Sequence, residues 1–245
     1  MLRRSRFFRL CLLLSAVLTM TVACSDSSST LALNVASSLR TPMVELTGAF
    51  KQKTNVDVSL QSGPSSLVGI QILEGAPSDV FAAADQASMQ KVVDGGATTT
   101  DPKVFAQTQL VLAVSSSSKV KSLADLQRAD VKIVTAIPQV PIRTYTDQAL
   151  QASNLNVKFA SYEIDAKGIV EKLKSGEGDA AFIYEAEATT AGLQIIDTPA
   201  VMKIRASYYI AATSKNPNAQ KLIDFVLSDQ GKSILQANGL LTEGF

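Results

Sequence analysis

At 245 residues and 46% apolar composition the chain can bury one or two compact α/β lobes, and its 23 basic against 22 acidic residues provide no basic patch for nucleic acid. Histidine is absent and there are only two cysteines, which removes the usual general base, most zinc sites and the common nucleophile pairs.

Taken from the start, residues 1–23 carry four arginines followed by a short apolar run, the layout of a secretory signal rather than of a membrane span. The run ends in Thr21-Val22-Ala23-Cys24, which resembles the lipobox of bacterial lipoproteins, so Cys24 is the expected lipidation site, with 24–30 as a polar tether. Removal of the signal leaves 19 basic and 22 acidic residues, a net charge of −3. Cys11 lies in the signal and Cys24 at the cut, so the mature fold is expected to contain no disulfide.

Valine- and alanine-rich apolar runs predict strands over 31–35, 56–60, 79–83, 109–114, 132–135, 157–161, 180–184 and 207–212. Amphipathic stretches between them predict helices over 39–53, 67–73, 144–152, 166–174, 218–227 and 231–238, with another after Asp85, a natural cap. Gly75 suits the end of the second helix, and Pro77 prevents its continuation. The alternation predicts an α/β fold built on parallel sheet with crossover helices.

Ser38 and Ser65 both fall where a strand or loop turns into a helix. A helix start leaves N–H groups unpaired and carries partial positive charge, so two such ends facing each other, each with a hydroxyl, could hold an oxyanion. A serine in that position is also commonly only a helix cap. Tyr184, at a strand end, is either a ligand donor or a core tyrosine with its hydroxyl satisfied. Asp165 and Lys167 are expected to cap a helix and face solvent.

Four segments, VASSL at 35–39, LEGAPSDVFAAAD at 73–85, VPIRTYTDQAL at 140–150 and SGEGDAAFIYEAEA at 175–188, resemble the molybdate-binding substrate proteins of ABC transporters. The second segment is the most specific. The resemblance implies a two-lobed periplasmic-binding-protein type II fold, with mixed, mostly parallel sheets and two crossovers between lobes. Lobe one would take 31–113 plus 207–245, and lobe two 114–206. It further implies Ser38 and Ser65 as hydroxyl and N–H donors, Ile142 and Ala166 as backbone N–H donors, and Tyr184 as a phenol donor to one molybdate or tungstate ion. Arg143 stands where the family usually has glycine. It either redirects the Ile142 N–H, reaches the pocket as an added charge, or is solvated on the cleft rim.

The partners implied are the oxyanion, an ABC permease and the membrane through the lipid anchor, with no cofactor, no metal bound directly and a monomeric state. Other readings remain within the sequence. The same fold carries sulfate, phosphate, small organic anions and amino acids, or serves as an adhesion scaffold. Ser116-Ser117-Ser118-Lys119 matches the Ser-x-x-Lys spacing of acyl-serine enzymes.

Overall fold

The computed structural model describes residues 30–244, so the signal, Cys24 and most of the tether lie outside the described residues. The strands are β1 (Leu31–Ala36), β2 (Val58–Gly63), β3 (Val80–Ala83), β4 (Lys103–Val114), β5 (Ile133–Ala136), β6 (Phe159–Glu163), β7 (Ala180–Tyr184), β8 (Gln194–Ile196) and β9 (Arg205–Ala212). The helices are α1 (Arg40–Thr54), α2 (Ser65–Leu73), α3 (Gln86–Asp94), α4 (Pro141–Ala152), α5 (Ala166–Ser175), α6 (Glu185–Thr190), α7 (Pro217–Leu227) and α8 (Asp229–Ala237). Short 3-10 turns occupy Ser37–Leu39 and Leu123–Gln127.

The strands run in the order β2-β1-β3-β9-β4-β7-β5-β6, with β8 added beside β4. Pairing is parallel among β1, β2 and β3 and among β5, β6 and β7. It is antiparallel around β4 and β9, the strands that link the two groups. β3, β5 and β7 are buried along their whole length, as parallel strands covered on both faces must be. The edge strands β2 and β6 alternate in exposure instead.

β4 is one continuous strand of twelve residues that serves both lobes. Its first part pairs with β9 as far as Gln109, and from Leu110 it pairs with β7. The crossing therefore lies at 109/110, earlier than the 113/114 boundary expected, because an unbroken strand carries no change of composition where its partner changes. On the return, Ala206 packs in the second core and Tyr208 in the first.

In the first lobe, Leu39, Met43, Leu46 and Phe50 recur at helical spacing and pack with α7 and α8 on one sheet face. On the other face Val68 and Ile72 of α2 and Met89 and Val92 of α3 enclose Phe81. α2 ends in a Schellman closure: Gly75 has φ +93°, its N–H donates to the Ile72 carbonyl, and the Ala76 N–H donates to that of Gln71. The second lobe packs Ile142 and Ala149 of α4 and Ile169 and Leu173 of α5 on β5 and β7.

Several element starts differ from expectation. α2 begins at Ser65 rather than 67, and α4 at Pro141 rather than 144, since a proline without an N–H is well suited to a first helical position. α6 and β8 are absent from the sequence reading.

Candidate functional site

Every ligand group expected from the sequence sits at the C-terminal end of a strand in the parallel parts of the sheets. β1 leads into the turn holding Ser38, β2 into Ser65, β5 through a short loop into Ile142, β6 into Ala166, and β7 ends at Tyr184. In open α/β sheets this is the edge where helix starts converge and ligands bind. Ser38, Ser65, Ile142, Ala166 and Tyr184 all line one cavity, together with Ala36 and four further neighbours from both lobes, Ser37, Pro64, Val140 and Pro141, and with Ala84.

The cavity is small, about 10 Å³, on the order of the space one water requires. No charged side chain lines it. Its donors are instead first-turn N–H groups, which have no partner inside their own helices. Ser65 and Ala166 are the first residues of α2 and α5, and Ile142 is the second of α4. Among the described residues no backbone carbonyl takes the N–H of these three.

The capping explanation of the two serines does not hold. Neither the turn at Ser37–Leu39 nor α1 nor α2 has a side-chain cap. The buried Ser65 hydroxyl accepts the Ala84 N–H at 2.9 Å, which fixes the oxygen and leaves its own proton free to donate into the cavity. Ser38 lies beside the buried hydroxyl of Tyr208, close enough to interact with it but without a hydrogen bond of good geometry.

The Tyr184 hydroxyl is buried and has no hydrogen-bond partner among the described residues. A phenol in that condition costs free energy unless a ligand completes it. Its ring is held edge-on between those of Tyr145 and Tyr208, at centroid distances of 6.0 and 6.1 Å. Burial, with Tyr208 and Tyr145 beside it, raises its pKa well above the usual phenol value, so it remains a donor.

Arg143 does not reach the cavity. Its Nε donates to Asp147 at 2.8 Å, and its guanidinium stacks on Phe159 at 4.9 Å and Tyr162 at 5.9 Å. The preceding turn is not strained, because only Asn55 and Asn154 among the described non-glycine residues have positive φ. A glycine is therefore not required at 143, and the Arg143 N–H donates to the Val140 carbonyl in an ordinary first turn.

Asp165 caps α5 by accepting the Gly168 N–H, and exposed Lys167 pairs with Glu171 at 3.6 Å, as expected. Ser116 and Lys119 are exposed in the turn after β4 and do not line the cavity. Two groups were missed by sequence reasoning: Tyr208, which faces Ser38 from β9, and Glu187, three residues after Tyr184. Tyr208 has no local signal, since only the sheet order brings it near. Among the described residues no cluster of acidic, cysteine or histidine side chains could hold a metal ion.

Comparison with known proteins agrees with this arrangement. Residues 31–241 match the family described as bacterial extracellular solute-binding protein. The molybdate-binding protein ModA of Mycobacterium tuberculosis is 27% identical over 212 residues, covering 83% of this chain and 81% of that protein. The solved substrate-binding domain of a putative molybdenum ABC transporter from Clostridium difficile superposes with a TM-score of 0.67 at 26% identity, covering 88% of this chain and 99% of that one. The periplasmic molybdate-binding protein of Azotobacter vinelandii, at 22% identity, has a TM-score of 0.75 over 87% of this chain and all of its own, and shares the two-lobed type II fold. A cavity built from helix starts of two lobes, on a fold shared over nearly the whole described chain, and a match spanning residues 31–241 place this chain in the bacterial extracellular solute-binding protein family.

Proposed function

We propose that this protein captures molybdate or tungstate outside the cytoplasmic membrane, tethered through lipid on Cys24, and delivers the ion to an ABC permease. The observation that carries the reading is the single small cavity in which Ser38, Ser65, Ile142, Ala166 and Tyr184 converge without a charged side chain. Its size disfavours amino acids and organic anions. Its lack of a carboxylate disfavours anions that carry a proton, because no strong acceptor for that proton lines the cavity. Sulfate and molybdate share charge and shape and differ in radius, so the separation of the two sets of donors in the closed cleft sets the preference between them. Molybdate and tungstate have the same charge and nearly the same radius, so both should bind. The relatives at 26–27% identity, one a molybdate-binding protein and one part of a putative molybdenum transporter, support the same ligand class.

Capture proceeds by closure of the lobes. Ser38 and Ser65 belong to one lobe and Ile142, Ala166 and Tyr184 to the other, so the ion completes its shell only when the two approach. A permease that reads the closed form thereby reads occupancy. Among the described residues no helix is long and apolar enough to cross a membrane. Calorimetric titration of the chain from Ser25 onward with molybdate, tungstate, sulfate and phosphate tests the assignment. One-to-one binding of the first two, with little heat from the others, is the expected result. Preference for sulfate or phosphate would overturn it.

Closure has a visible latch. The Ser66 hydroxyl, on α2, donates to the Gln139 carbonyl, in the loop before α4, at 2.6 Å across the cleft. An exposed hydrogen bond of this kind is worth about 0.5–1 kcal/mol. Ser66→Ala should therefore weaken molybdate about two- to fivefold, through faster release, as stopped-flow displacement would show.

A further inference from the structure

Beside the anion cavity, and sharing Ser37 and Ser38 with it, lies a second cavity of about 480 Å³ between the lobes. Glu187 lines it from the first turn of α6, the helix that begins directly after Tyr184. One of its carboxylate oxygens, Oε2, is shut off from solvent and has no hydrogen-bond partner among the described residues. A charged oxygen in that condition is unfavourable, and a protonated one much less so.

The surroundings do not supply a counter-charge that settles the carboxylate. From α5, Asp165 faces it with negative charge, while Lys167 and Lys174 lie on the same cavity wall. Lys167 is drawn to Glu171. From the first lobe come Arg40 and Glu45; Arg40 donates to Ser62 and Glu45 accepts from Asn238. Tyr184 on β7 and Tyr208 on β9 feel its charge as phenols. On β4 the groups that bond α6, Thr108 and Gln109, are neutral; Gln109 donates to Glu185, the other acid of this turn. A helix start would favour the ionised form. Burial nonetheless outweighs it, and with Asp165 nearby the pKa of Glu187 is pushed up to about 8.

We propose that Glu187 is the residue that makes anion capture proton-linked: with its carboxyl neutral the cleft closes on a dianion, and with it ionised a like charge stands behind Ser38 and Tyr184 and opposes that closure. This rests on the oxyanion reading of the cavity. The bound dianion in turn holds the proton on Glu187, so binding is accompanied by proton uptake above neutrality. The residue acts through the field at the cavity wall and touches no ligand atom, which makes it a positioning residue for charge rather than a donor.

The test is calorimetric titration of molybdate, which is fully deprotonated in this range, at pH 7 and pH 9 in two buffers of different ionisation enthalpy. One linked proton with a free-state pKa near 8 allows up to about a tenfold weakening over this interval, and a fivefold or larger loss is expected. Glu187→Gln should reduce the ratio of the two dissociation constants to below twofold and abolish the buffer-dependent proton uptake. Glu185→Gln, which removes an acid from the same turn, should keep the wild-type ratio. A flat wild-type profile, or a slope that survives in Glu187→Gln, overturns the proposal while leaving the oxyanion reading intact. Failure of wild type to bind at either pH would sink that reading and this proposal with it.

Discussion

Replacing Ala166 by proline should weaken molybdate about a hundredfold while leaving the melting temperature of the ligand-free protein within a few degrees of wild type. Ala166 is the first residue of α5, and its N–H is outside the helix's own hydrogen-bond ladder. Proline is favoured at that position because it lacks only an N–H the helix does not use. The preceding Asp165, at φ −156° and ψ 174°, is already extended, as a residue before proline prefers. Its cap to the Gly168 N–H is untouched. What the substitution removes is a donor to a charged ligand, worth about 1.5–3 kcal/mol, and the ring carbon occupies the place of the missing hydrogen. Calorimetry and thermal melting separate the two effects. Wild-type affinity in Ala166→Pro would remove this N–H from the anion shell.

The parts of this protein that are legible in its sequence are those written locally. The segment at 73–85 contains its own stop, with Gly75 in the left-handed region and Asp85 accepting the Ser88 N–H at 2.6 Å. The residues alone mark Ser38 and Ser65 as helix starts and Tyr184 as a strand end, while Ile142 and Ala166 enter through the resemblance to the molybdate-binding proteins; the structure brings all five to one cavity. Groups that depend on sheet order were hidden. Nothing in residues 103–114 marks the change of partner at Leu110, and nothing near Tyr208 says that it lies against Tyr184. α6 was missed because six residues are too few for a periodic pattern, and with it went the significance of Glu187. Of the three readings open for Arg143, the structure excludes the charge in the pocket. Its true partners, Phe159 and Tyr162, lie on a strand whose pairing with β5 places them beside the start of α4.

Tyr184→Phe should move stability and affinity in opposite directions. The hydroxyl is buried without a partner among the described residues, so deleting it relieves a desolvation cost on the order of 1 kcal/mol. The ring contacts with Tyr145 and Tyr208 remain, because phenylalanine keeps the ring. The ligand-free variant should then melt about 2–4 °C above wild type. The same deletion removes a phenol donor from the anion, and affinity for molybdate should fall about ten- to a hundredfold. In saturating ligand the order of melting temperatures should invert, since the wild type gains more from binding. Differential scanning calorimetry with and without molybdate reads both states of both proteins. A variant that melts below wild type in both would show that the hydroxyl serves the fold. A variant that melts above wild type in both would take the phenol out of the ligand shell. The inversion alone identifies a hydroxyl that serves the ion and not the fold.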